Sequence, residues 1–103
     1  MELSTNQASK QIKAMTFANR VIRSLSGAGV AVTCRPNRLL NLTLTGPFGG
    51  YFYTLDASTP YDTVAGMMRD AGYALDRRTA TWKQRGQQSF QLQRSSQGCT
   101  LFV

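Results

Sequence analysis

Histidine is absent from the 103 residues, and acidic residues number only five. The first absence removes the commonest general base, the commonest metal ligand and the serine-type triad. The second leaves little for paired-carboxylate or metal-assisted hydrolysis. Glu2 lies at the terminus, Asp62 is expected to cap a helix, and Asp56, Asp70 and Asp76 would have to converge from separate elements. Cysteine is limited to Cys34 and Cys99, too few for a disulfide scaffold and without the C-x-x-C spacing of zinc or redox sites, so both read as small buried hydrophobes. No apolar run approaches the roughly 18 residues that span a bilayer, and residues 1–19 hold none of signal-peptide length. The expectation is a soluble cytoplasmic chain with no membrane partner and no cofactor. Asn41-Leu42-Thr43 matches a glycosylation acceptor, but without a secretory context its Thr reads as a strand residue. Gly46-Pro47-Phe48-Gly49-Gly50 lacks the Lys-Ser/Thr of a P-loop and precedes a strand where that motif needs a helix, so it reads as a hairpin loop. Hydrolase, oxidoreductase and kinase readings all fall, and a non-enzymatic role is expected.

What remains is a basic chain of one domain's length, residues 1–103. Twelve Lys and Arg face the five acids, a formal net charge of +7, although charged residues make up only 17% of the chain against a usual quarter. Ser, Thr, Gln and Asn fill the difference. Such an excess lets the whole surface attract polyanions, with nucleic acid the first partner to consider.

Apolar residues Ala8, Ile12, Met15, Ala18, Ile22 and Leu25 recur at steps of three and four, predicting a helix from Thr5 to Leu25 with Thr5 or Asn6 as N-cap and Ser26-Gly27-Ala28-Gly29 as its stop. Lys10, Lys13, Arg20 and Arg23 then share the opposite side, with no acid among them. Alternation predicts strands around Val30, Val32 and Cys34, around Leu40, Leu42 and Leu44, and around Tyr51, Tyr53 and Leu55, with Arg35 on their wet side. Pro36-Asn37 and the glycine-rich loop are the expected reversals. Phe52 would face the wet side, the one aromatic placed for base stacking. A second helix is expected from the cap Thr59 through Pro60 and Asp62 to Gly72, burying Val64, Met67, Met68 and Ala71. Further strands follow near residues 73–77, 79–83, 89–93 and 99–103, with Ala80, Trp82, Phe90, Leu92, Leu101 and Val103 inward. The fold class is α+β: an antiparallel sheet of five or six strands with two helices on one face, in the order α-β-β-β-α-β-β-β. A shift of 43 residues superimposes Ala28-Gly29 on Ala71-Gly72 and Arg35 on Arg78, which suggests a weak internal duplication of an α-β-β-β unit.

The order helix, three strands, helix resembles the double-stranded RNA-binding domain, and residues 67–94 resemble a small mRNA-cleaving toxin. The first family places a Lys cluster at the start of its second helix, where this chain has Thr59-Pro60-Tyr61-Asp62. The second needs a His after its turn, where this chain has Arg85-Gly86-Gln87-Gln88. Neither family is assigned.

The binding surface is therefore argued from charge. Between Arg69 and Arg94 six cations meet two acids, and Arg supplies nine of the twelve cations in the chain. Its planar fork suits bidentate phosphate or carboxylate recognition. Arg77, Arg78, Lys83, Arg85 and Arg94, with interspersed glutamines, are the expected contacts, joined by Lys13, Arg20, Arg23, Arg35 and Phe52. The expected function is non-catalytic binding of nucleic acid phosphates. The alternative is a small accessory or inhibitor protein, of phage or plasmid type, that binds an acidic protein surface in a larger complex. A homodimer through an uncovered last strand, Cys99 to Val103, is a further expectation.

Overall fold

The computed structural model describes residues 5–37 and 51–103. Within them lie α1 (Thr5–Gly27), β1 (Val32–Pro36), β2 (Tyr53–Ala57), α2 (Tyr61–Asp70), β3 (Ala74–Asp76), β4 (Thr81–Lys83), β5 (Phe90–Ser95) and β6 (Gly98–Phe102). The six strands form one antiparallel sheet in the order β1-β2-β6-β5-β4-β3. The α+β class, the two helices on one face and the six strands agree with the sequence expectation. The expected strand at Leu40 to Leu44 and the loop at Gly46 to Gly50 lie outside the described residues. The last strand is central, flanked by β2 and β5. It has no free edge, so the expected pairing of β6 with its copy is corrected.

Alternation sorts the strands into two faces. Leu55, Leu101, Leu92, Phe90 and Trp82 point to the helices and are buried. Leu101 stands opposite both Leu55 and Leu92, and Phe90 opposite Trp82. Stacked rings join the layers: Phe17 of α1 lies 5.1 Å from Phe90, which lies 6.2 Å from Trp82 with the rings nearly parallel. From α2 come Val64, Ala65 and Met68, completing one continuous core.

The buried stripe of α1 is Ala14, Phe17, Ala18, Val21 and Leu25, while Ile12 is 60% and Met15 44% exposed. The expected stripe is thus rotated. Counting aliphatic residues favoured Ile12 and Met15, but the ring of Phe17 has far more surface to bury and decides which side faces the sheet. Both helices end alike. The amide of Val30 donates to Leu25 and that of Gly29 to Ser26; the amide of Tyr73 donates to Met68 and that of Gly72 to Arg69. This paired closure needs a left-handed residue, and Gly29 (φ 81°) and Gly72 (φ 99°) supply it.

Several local expectations are corrected. Pro60, rather than Thr59, is the N-cap of α2, and no side chain bonds there. Asp62 instead pairs with Arg94. Pro36-Asn37 does not reverse the chain: the Asn37 amide donates to the Phe52 carbonyl, extending the pairing of β1, an edge strand where a missing N–H is tolerated. Ala71 and Ala80 are exposed rather than inward, and Ala80 takes a left-handed conformation (φ 55°) in the β3–β4 turn.

Candidate functional site

Several cations are engaged within the fold itself, two on the open face of the sheet and others against α2 and Trp82. Arg35 reaches Asp56 at 3.1 Å, and Asp56 also accepts a bond from the Thr100 hydroxyl at 2.7 Å. Lys83 reaches Asp76 at 3.2 Å, and the Arg78 amide donates to the same carboxylate. The Lys83 hydrogen bond holds the Asp76 carboxyl below its ordinary range, more than its partial desolvation raises it. Arg94 is divided between Asp62 at 3.3 Å and the face of Tyr61, 4.4 Å from the ring centroid. Arg69 lies over Trp82. Three of the expected contacts, Arg35, Lys83 and Arg94, thus tie this domain's own elements together.

The expected C-terminal cluster is also divided by topology. Arg77 and Arg78 occupy the β3–β4 turn, while Arg85 follows β4 at its other end. Three strand residues separate those ends by roughly 10 Å. Arg23 is exposed on α1 and lines neither of the two cavities that border that helix.

A different set of residues is brought together where β2 begins and β6 ends. There the flank of α1, the residues leading into β2 and the β4–β5 loop border a cleft of about 680 Å³. Lys10, Lys13 and Arg20 line it from α1, and no carboxylate lines it among the described residues. Gln87, Gln88 and Ser89 form the facing loop, and Phe52 with Tyr51 lies at the base. One-sided charge follows directly from the sequence of α1. The helix has no acid, and Lys13, Thr16 and Arg20 fall at steps of three and four on the flank that packing leaves open.

Phe52 arrives there through an irregularity. Its amide and that of Tyr53 both donate to the Val103 carbonyl, so two residues of one strand oppose one of the other. This bulge shifts the alternation by one position. Phe52 is therefore half-buried against the core and the cleft instead of facing the open side, while Tyr51 sits against Phe102, 6.0 Å between ring centroids.

Among the expected contacts, Lys13, Arg20 and Phe52 meet in the cleft, with Arg85 next to its loop. Lys10, whose place on the basic helix flank was legible, and the loop residues Gln87 to Ser89 complete it. No group of three or more possible metal ligands occurs among the described residues. Burial raises both thiols above their ordinary range, which does not favour a thiolate nucleophile, although Cys34 is exposed on β1 and only Cys99 is buried as expected. Among the described residues no helix is long and apolar enough to cross a membrane. Comparison with protein-family models, with curated proteins and with solved structures gives no match to this chain.

Proposed function

We propose that this domain is a non-catalytic binding module that holds a nucleic acid backbone in the cleft beside α1. The observation that supports this reading is the concentration of Lys10, Lys13 and Arg20 on one wall with no lining carboxylate among the described residues, while three of the four described aspartates are engaged elsewhere. Cations on a concave wall favour a polyanion, because the shape focuses the field, and among the described residues no carboxylate competes for them there. The amides and hydroxyl of Gln87, Gln88 and Ser89 add hydrogen bonds suited to phosphate or sugar without demanding a base sequence. Anisotropy titration of a labelled single strand against salt tests the reading. Three phosphates engaged should give a log–log slope near about −2, at roughly −0.7 for each contact. Absence of binding at low salt would refute it.

A second reading, an acidic protein surface, is favoured by Ile12 and Met15, large apolar side chains left exposed on the same helix as the cations. It predicts a stoichiometric protein partner that survives nuclease treatment and is released when Ile12 and Met15 are made polar.

A further inference from the structure

Next to the cationic cleft, a second cavity of about 330 Å³ opens between α1 and α2. Its character is different. Val21 and Leu25 face Met67 and Met68 across it, Tyr73 contributes to the lining, and no lysine or carboxylate lines it among the described residues. Phe17, Arg20 and Gln87 line both cavities, so the two are adjacent and share these residues as a common border. The positive charge of Arg20 also reaches Tyr73, where it partly offsets the upward shift that burial imposes on the phenol.

We infer that the ligand of the cleft is an unpaired nucleic acid strand, and that one of its bases turns from the backbone into the gap between the helices. This rests on the reading of the cleft as a phosphate site. A base has two apolar faces and a polar edge. The methionine and aliphatic walls match the faces, and the adaptable thioethers of Met67 and Met68 accept any of the four bases. The amides of Gln84 and Gln87, which also line the cavity, can donate to or accept from the edge. The volume lies at the lower limit of small-ligand sites, which suits one base rather than a larger group. Adjacency supplies the remaining argument: Arg20 borders both cavities, within reach of the phosphate of a nucleotide whose base lies in the second. A duplex could fill the second cavity only by unpairing and unstacking a base.

The test uses three probes on the full chain: an oligothymidylate, its duplex with oligoadenylate, and an abasic deoxyribose-phosphate strand of the same length. The single strand should bind about tenfold more tightly than the abasic strand, the equivalent of one stacked base. Ser24 and Ala71 are exposed residues on opposite walls of the second cavity. Ser24→Trp should fill it and lower single-strand affinity to the abasic level, with the salt slope unchanged. Ala71→Trp does the same from the other wall, so a folding defect in one variant does not leave the question open. Equal affinity for thymidylate and abasic strands, or full affinity in both folded tryptophan variants, overturns the base pocket while leaving the phosphate cleft standing. Failure of every probe to bind at low salt overturns both.

Discussion

The open face of the sheet and the flank of α1 both carry cations, yet they use them in opposite ways. On the sheet, Arg35 and Lys83 each lie within 3.2 Å of an aspartate. On the helix flank, Lys10, Lys13 and Arg20 border a cleft with no lining carboxylate among the described residues. Net charge alone does not distinguish these regions; the placement of the four described aspartates does. A cation beside an aspartate strengthens the domain's own architecture by a modest amount, since half-exposed pairs are worth about 0–1 kcal/mol. An uncompensated cation on a concave wall keeps its field for a ligand.

The largest expected effect comes from removing the support of the helix flank. Phe90→Ala takes the middle ring from the Phe17, Phe90 and Trp82 stack and should cost about 3–5 kcal/mol in chemical denaturation. Gly98→Ala should also be strongly destabilising. An added Cβ would come within 2.6 Å of the backbone of Ala57 and Thr59, at a residue whose φ of 147° disfavours side chains. These two changes act on both regions together and set the scale for the rest.

The contrast is sharpened by paired substitutions that leave the core alone. Lys13→Gln with Arg20→Gln should reduce the salt slope for a single strand by about 1.4, with little change in melting temperature. Arg35→Gln with Lys83→Gln should lower the melting temperature slightly and leave the slope within error. If the second pair abolishes binding and the first does not, the assignment of roles is reversed.

Much of the fold was legible because period and capping are local properties. The Ala-Gly stops at 28–29 and 71–72, the alternation through Phe90 to Leu92 and Cys99 to Val103, and the two-helix arrangement all follow from neighbouring residues. The errors arose where distant partners decide. The face of α1 was misplaced because Phe17 turns toward Phe90 and Tyr73, both far along the chain. Phe52 was turned inward by a bulge against Val103 that no pattern within residues 51–55 announces. The basic cluster near the C-terminus looked continuous in sequence, but β4 separates Arg77 and Arg78 from Arg85, and Asp76 occupies Lys83. That Lys13 and Arg20 share one helix flank was legible from their spacing, and no acid exists on their helix to pair with them locally.

Smaller effects concern the open face and its edge. The folded-state carboxyl of Asp76 titrates below its ordinary range, so its contribution is present above about pH 4, the unfolded value, and is lost as pH falls through the lower folded value. The protection factors of the β3 and β4 amides, taken relative to the intrinsic exchange rate at each pH, should therefore fall on acidification, and Asp76→Asn should remove that dependence. Ala80→Gly relieves a left-handed alanine and should stabilise the β3–β4 turn by about 1 kcal/mol or less, without altering affinity for nucleic acid.

The most direct test is an amide chemical-shift titration of isotope-labelled protein with an oligothymidylate at low salt. Saturable shifts confined to α1 between Lys10 and Arg20, the loop from Gly86 to Ser89 and the residues around Phe52 are the predicted result. Shifts centred instead on Arg35, Asp56, Lys83 and Thr100, with the helix flank unmoved, would contradict it.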